Sequence, residues 1–373
     1  MPKKVGILTA GSDCPGLNAT IRGFGKAARS TYGMSLLGFR DGFRGLIQNN
    51  TIDLGGNTLS NVLTAGGTIL GTSRDVPFAV IEAGNVVDKT NQAVDVYKAQ
   101  KLDALVCIGG QETQDVALRL SEAGLNVLTI PKSADNDVAK TDVTIGFDTA
   151  RQIATEAIDR LHSTANSNHR IIIIEIMGRE VGWLTLGAGV ASGSDVILIP
   201  EIPYSIEKIS QAILDRNKAG KTFSIVAVAE GANSAELVAF FERSLKLNQK
   251  IHEGDVQDDK KEKMMSLKKK YTGQTLLLAN QLEEITGIES RITILGYLLR
   301  GGTPSAMDRV LATHLGTQAA NMVELGNFGN MIAFQEGKAV CVPLNEVVGL
   351  KKAVPQDHPW IVSARHVGTM FGD

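Results

Sequence analysis

The run Leu125-Asn126-Val127-Leu128-Thr129-Ile130, followed by Pro131-Lys132-Ser133-Ala134-Asp135-Asn136-Asp137 and then Lys140-Thr141-Asp142, decides how the chain folds. Its first six residues are mostly apolar and end abruptly in a polar turn, the pattern of a buried strand. In an open α/β sheet the carboxyl ends of the strands are where ligands bind, so the turn is displayed in a functional position. Asp135, Asp137, Asp142 and Lys132 together could hold a metal, orient a hydroxyl and meet phosphate charge. An Asx-rich loop whose side chains satisfy their own backbone would explain the same residues.

Working outward, the same motif recurs along the chain. Val5 to Thr9 runs into Ala10-Gly11-Ser12-Asp13-Cys14-Pro15-Gly16-Leu17-Asn18-Ala19, and Ala104 to Ile108 into Gly109-Gly110-Gln111-Glu112-Thr113. Ile171 to Ile174, β-branched throughout and suited to burial on both faces, leads through Glu175-Ile176 to Met177-Gly178-Arg179. Ser224 to Ala229 ends in Glu230-Gly231, and Ile292 to Leu295 precedes Gly296-Tyr297-Leu298-Leu299-Arg300-Gly301-Gly302. Helical periodicity fills the intervals, as in Ile21 to Arg29, Asp115 to Ala123 and Ala150 to Ala165. Alternation of this kind predicts an α/β protein: two Rossmann-like lobes with mostly parallel sheets around a cleft. The expected division is residues 1–150 as a larger lobe that contains the turn after Ile130, 151–320 as a second lobe, and 321–373 as a C-terminal segment packing back on the lobes, with approximate boundaries and the chain crossing between the lobes. Residues 246–270, rich in lysine and acid with few apolar positions, read as a solvated insertion.

Composition narrows the function. The chain has 373 residues, 43% hydrophobic and 21% charged, with a formal net charge of −2. That balance gives no electrostatic case for nucleic acid or an anionic membrane. No apolar run is long enough to span a bilayer and no signal peptide is evident at the N-terminus, so the expected compartment is the cytoplasm. Three widely spaced cysteines without histidine clusters argue against a disulfide framework or a zinc site.

Six strand ends carry groups compatible with phosphate or with acid–base chemistry: Gly11, Gly109-Gly110, Asp135, Arg179, Glu230 and Arg300. Phosphoryl transfer needs positioning and charge neutralisation more than covalent chemistry, and arginine forks match phosphate oxygens. A carboxylate within reach of an accepting hydroxyl can take its proton. From about Lys4 to Gly337 the chain resembles the 6-phosphofructokinase family, ATP- or pyrophosphate-dependent. The resemblance is carried in order by Asp13 to Ala19, Gly66-Gly67-Thr68 through Ser73-Arg74, Asp135-Asn136-Asp137, Gly146-Phe147-Asp148-Thr149-Ala150, Met177-Gly178-Arg179, Glu230-Gly231 and Arg300-Gly301-Gly302. The long forms with Pro-Lys before the catalytic loop fit best.

The resemblance implies the family's fold and roles, with the first lobe and its catalytic loop on the phosphoryl-donor side and the second lobe on the sugar-phosphate side. Asp135 would be the base for the 1-hydroxyl of fructose 6-phosphate, with Asp137 supporting it and the metal, Ser133 beside the transferred group, and Arg179 stabilising transition-state charge. Met177, Gly178, Arg179, Glu230, Tyr297 and Arg300 would hold the sugar phosphate. Arg170 and Arg291 match arginines that cross a subunit interface to the 6-phosphate, implying a homodimer or homotetramer, or a hetero-oligomer with an active paralogue. Gly11, Arg74, Gly110, Gln111, Glu112, Thr113 and Lys132 would face the phosphoryl donor, and Gln111, Glu112 and Asp137 the Mg2+ ion.

Several positions depart from the family's pattern. Gln111 and Glu112 stand where the donor loop normally has aspartate and glycine, Tyr297 where a histidine is usual, and Ser12 and Ala134 replace glycine and a larger aliphatic residue. A neutral amide is a poorer ligand for a hard cation than a carboxylate. Glu112 puts negative charge against a nucleotide α-phosphate, at least ~1 kcal/mol of repulsion at contact even in bulk water. The expected activity is therefore a phosphofructokinase using pyrophosphate rather than ATP. The alternatives are ATP use through a remodelled donor loop, or a weak or inactive regulatory paralogue that binds sugar phosphate.

Overall fold

The computed structural model describes residues 2–82, 84–251 and 273–373, and the side chains of residues 244–251 are left aside. Most of the predicted charged insertion therefore lies outside the described residues. The chain divides into two compact units, one formed by residues 1–150 and 297–352 and the other by residues 151–296 and 353–373.

The first unit opens with β1 (Lys4–Thr9), α1 (Leu17–Ser30), β2 (Ser35–Phe39), α2 (Phe43–Gln48) and β3 (Thr51–Asp53). A small antiparallel pair follows, β4 (Val80–Glu82) and β5 (Asn85–Val87), then α3 (Thr90–Ala99), β6 (Ala104–Gly109), α4 (Gln111–Glu122) and β7 (Val127–Pro131). Helix α5 (Phe147–Asn168) carries the chain into the second unit. There it forms β8 (Ile171–Ile176), α6 (Trp183–Ala191), β9 (Val196–Leu198), α7 (Ile206–Lys218), β10 (Ser224–Ala229), α8 (Ala235–Ile251), α9 (Gln274–Thr286) and β11 (Ser290–Ile294). The chain then returns to the first unit for α10 (Ala306–Leu325), β12 (Asn330–Gln335) and β13 (Lys338–Pro343), and ends with α11 (Pro359–His366) in the second.

The sheet of the first unit has seven strands in the order β13-β12-β7-β6-β1-β2-β3. Its inner pairs are parallel, β7 with β6, β6 with β1, β1 with β2 and β12 with β7, while β13 and β3 run antiparallel at the two edges. Strands β6 and β7 are buried along their whole length, as expected of a sheet covered on both faces. The second unit has a four-stranded sheet, β11-β8-β10-β9, parallel throughout. Its core includes Ile171, Ile173, Val226 and Val228 against Ile209 and Leu282. The chain crosses between the units: it re-enters the first at Tyr297, where β12 pairs beside β7, and residues 353–373 belong to the second.

Two contacts fix that return. Helices α1 and α10 pack at backbone distance, since a Cβ on Gly23 would lie 2.9 Å from Thr313 Cα and one on Gly316 2.6 Å from Phe24 N. The carboxylate of Asp308, fully buried, accepts from Gly146 N (2.9 Å) and Thr149 N (2.8 Å) and from the Thr149 hydroxyl. Ser305 caps α10 by accepting from Asp308 N at 3.1 Å, and its own hydroxyl donates to Asp148 Oδ2 at 2.7 Å. One buried acid thus ties the start of the returning helix to the start of the departing one. Asp308→Ala should strand three buried donors and destabilise the first unit by about 3 kcal/mol or more, measured by denaturant unfolding followed with a probe in that unit. An unfolding midpoint equal to that of the unaltered protein would show the clamp to be dispensable.

Candidate active site

Strands β7, β6 and β1 are adjacent and parallel, so their carboxyl ends share one edge of the sheet. Gly11 after β1, Gly110 after β6 and Lys132 to Asp137 after β7 are assembled there from separate sequence segments. Lys132 is bound back into the sheet by a bridge to Ile145, and Ser133 N donates to Ile145 O at 3.0 Å. Asp135 N donates to Ser133 Oγ at 3.1 Å. Asn136 takes a left-handed backbone (φ 55°), and its Oδ1 accepts from Thr144 N at 3.0 Å. Self-satisfaction of the loop is therefore real, but it is the work of Asn136, Ser133 and Thr144. Asp137 Oδ1 is buried and has no hydrogen-bond partner among the described residues. That orphaned carboxylate oxygen is what a ligand cation or a donated proton would satisfy.

The donor-side residues also come together. Gly11 N donates to Ser73 O at 2.9 Å, Thr72 Oγ1 to Gly11 O at 2.7 Å, and Arg74 Nη2 to Ser12 Oγ at 2.9 Å. Lys132 Nζ donates to Ser12 O. A Cβ on Gly11, whose φ is +80°, would lie 3.4 Å from Lys132 Nζ. A narrow recess is lined here by Gly11, Ser73, Arg74, Glu112 and Thr113. Burial raises the Glu112 carboxyl above its usual range, with Arg74 and Lys132 opposing the shift and Asp115 adding to it. Burial also lowers the Lys132 ammonium, with Asp137 and Asp13 opposing the shift and Arg300 adding to it. Cys14 itself is pushed up to about 12 by burial, a protonated and inert thiol.

Gln111 is placed differently from the sequence expectation. Its amide Nε2 donates to Val347 O at 3.3 Å, in the segment after β13, and it is absent from the lining of the recess. Its Oε1 is buried with no hydrogen-bond partner among the described residues. No group of three or more His, Cys, Asp or Glu suited to a metal occurs among the described residues. Of the residues expected to face Mg2+, Asp137 offers a buried carboxylate oxygen without a partner, which fits an ion that binds through one or two carboxylates plus substrate phosphates.

In the second unit, Met177, Gly178 and Arg179 follow β8, and Glu230 follows the neighbouring strand β10. Gly231 N donates to Gly178 O at 3.1 Å, and a Cβ on Gly231 would sit 1.9 Å from Arg179 O. That close approach admits only glycine and locks the backbone behind Arg179. The Arg179 side chain is 79% exposed, with Nε 4.0 Å from Glu230 Oε1. Arg170 and Arg291 lie at the opposite ends of these strands: Arg170 precedes β8, and Arg291 is in register with Ile172. A six-residue strand is roughly 20 Å long, so within one chain they do not join Met177 and Glu230. Both instead bind Glu289, Arg170 Nε at 2.5 Å. Tyr297 and Arg300 belong to the first unit; Tyr297 is 77% exposed and the Arg300 guanidinium sits 5.1 Å from its ring centroid.

Three positioning residues escaped the sequence. Asp308 reads as an ordinary first-turn acid of α10. Asn18 donates to Ala65 O and Gly66 O and accepts from Ile69 N at 2.7 Å, which holds the loop leading to Arg74. Lys352 lies in a segment with no periodicity. Only Asn18 carried a signal, being the sole amide in an otherwise apolar helix start.

The family model described as Phosphofructokinase matches residues 4–323. A relative from Propionibacterium freudenreichii subsp. shermanii, named ATP-dependent 6-phosphofructokinase, is 53% identical over 373 residues and covers 100% of both chains. One of the same name from Spirochaeta thermophila is 47% identical, covering 99% of this chain and 97% of its own. The solved phosphofructokinase of Saccharomyces cerevisiae superposes with a TM-score of 0.75 at 27% identity, over 92% of this chain and 45% of the yeast chain. The chain belongs to the phosphofructokinase family.

Proposed function

We propose that this phosphofructokinase transfers the γ-phosphoryl group of ATP to the 1-hydroxyl of fructose 6-phosphate, giving fructose 1,6-bisphosphate. The observation that carries the donor assignment is the end-to-end match, at 53% and 47% identity, to relatives named as ATP-dependent. The same match favours an active enzyme over a regulatory paralogue, and ATP over the pyrophosphate that Glu112 suggested from sequence.

Asp135 takes the proton of the sugar hydroxyl as the new P–O bond forms, from a turn that Asn136 and Thr144 hold in place. Arg179 neutralises charge developing on the transferred phosphoryl group, and Met177, Gly178, Glu230, Tyr297 and Arg300 contact the sugar phosphate. Lys132, Arg74 and the backbone at Gly11, Gly110 and Thr113 hold the donor phosphates, with Ser133 beside the transferred group. Asp137 would hold Mg2+ together with phosphate oxygens, and the ion would supply charge neutralisation; Gln111 braces the loop through Val347. Arg170 and Arg291, remote along the strands from Met177 and Glu230, would reach the 6-phosphate bound by a neighbouring subunit, which makes the working enzyme a homo-oligomer.

A second reading keeps pyrophosphate as donor. It is favoured by Glu112, which stands in the recess between Arg74 and Lys132 and would meet a nucleotide α-phosphate with like charge. Steady-state assays with each donor, free of contaminating nucleotide, separate the two. ATP-driven turnover with none from pyrophosphate supports the first; the reverse pattern selects the second.

Asp135→Ala should lower turnover by two to four orders of magnitude while changing fructose 6-phosphate affinity only modestly. Loss of sugar binding in step with turnover would remove Asp135 from the role of base. Because burial raises the Glu112 carboxyl, lowering the pH neutralises it and relieves its repulsion of nucleotide phosphate. The KM for ATP should therefore fall as pH drops through the titration of Glu112, and Glu112→Gln should flatten that dependence. Gln111→Asp with Glu112→Gly should raise kcat/KM for ATP; an unchanged value would mean that neither side chain limits nucleotide binding.

A further inference from the structure

Strand β12 is parallel to β7, so its carboxyl end lies on the same edge of the sheet as the catalytic turn. A cavity of about 450 Å³ opens there, lined by Lys140, Thr141, Asp142, Gln335, Glu336, Lys338, Val340 and Lys352. Three ammonium groups face two carboxylates in it. Its floor is built rather than incidental. Thr141 Oγ1 accepts from Phe334 N at 3.0 Å, Gln335 Nε2 donates to Lys140 O at 2.7 Å, and Asp142 Oδ2 accepts from Glu336 N at 2.8 Å. The turn between β12 and β13 forms the rim, with Glu336 and Gly337 both left-handed (φ 49° and 81°), a two-residue hairpin connection.

The cavity is wired to the catalytic turn by its own walls. Asp142 O accepts from both Lys352 Nζ (2.5 Å) and Asn136 Nδ2 (3.4 Å), the latter being the residue between Asp135 and Asp137. Lys352 N donates to Asp137 O at 3.2 Å. Burial lowers Lys352 to about 8, and the Asp142 and Asp137 carboxylates pull against that shift. Asp137 exerts the same pull on Lys132 at the donor site. One carboxylate therefore feels the charge of both places.

We propose that this cavity binds a small phosphate-bearing anion through Lys140, Lys338 and Lys352, and that the bound anion alters turnover by shifting the Asp135–Asp137 turn through Lys352 and Asp142. A dianion fits the chemistry because it would outweigh Asp142 and Glu336 and give the half-desolvated Lys352 a charged acceptor. The volume exceeds that of phosphate alone, so a monoester with a short carbon skeleton should bind more tightly than inorganic phosphate. Coupling of this kind requires two arrangements of the turn that the anion distinguishes. The inference rests on the turn being catalytic, but the site itself does not.

Two measurements test it, with inorganic phosphate and glycerol 3-phosphate as probes. In the first, brief acetylation followed by mass spectrometry should show Lys338 and Lys352 protected severalfold by either probe, with the ester effective at lower concentration. The donor site is kept filled with a non-hydrolysable ATP analogue, or with imidodiphosphate should pyrophosphate prove to be the donor. Lys338→Met, an exposed change on the hairpin, should abolish the protection of Lys352. In the second, either probe should change kcat at saturating substrates about twofold or more, an effect lost in Lys338→Met while its basal turnover stays unchanged. Unprotected lysines would sink the site. Protection with kcat unmoved, or probes that act only by competing with substrate in both proteins, would overturn the proposed coupling.

Discussion

A single buried carboxylate sets the conditions for the rest of the first unit. Asp308 receives three donors at the point where α5 departs and α10 returns, and each would be costly if left unpaired. Because Gly146 is one of the three, the clamp also fixes the far end of the turn that follows β7. The near end is fixed by the pairing of Lys132 with Ile145. Between these anchors Asn136 and Thr144 satisfy the turn's backbone. Asp135 is held at its backbone by Ser133, and Asp137 keeps a buried oxygen without a partner. A polar turn becomes a catalytic platform only when its own hydrogen-bonding needs are met elsewhere.

The sequence made the strand ends legible because they repeat one physical pattern, an apolar run closed by glycine and polar residues. Gly11, Gly110 and Asp135 could be assigned to neighbouring sites before any coordinates, and the parallel order β7-β6-β1 places them side by side. What stayed hidden were facts of register and direction. Arg170 is only seven residues from Met177, yet it sits at the start of the strand whose end Met177 follows. Nor does a spacing rule say that Gln111 turns to Val347, 236 residues away, while Glu112 faces the recess. The return of the chain at Tyr297 depends on pairing of β12 beside β7, a long-range event that composition does not record. Lys352 gave no signal because its importance comes entirely from the carbonyls that it meets.

Charge around the turn is balanced rather than concentrated. Arg74 and Lys132 act on the charge of Glu112, and Asp137 acts on both Lys132 and Lys352, so these groups are electrostatically linked. In the proposed scheme, donor choice and control from the β12 side would both draw on this arrangement. Burial weakens each charge by itself, and occupancy by a phosphate strengthens it.

The central claim is that Asp135 faces the accepting hydroxyl. The measurement that tests it most directly is a crystal structure with fructose 6-phosphate and an unreactive donor analogue bound. The expected result is an Asp135 carboxylate oxygen within roughly 2.6–3.2 Å of the sugar O1, the range needed for proton transfer. A sugar bound in order, with its 1-hydroxyl against another base and the Asp135 carboxylate turned aside, would contradict it.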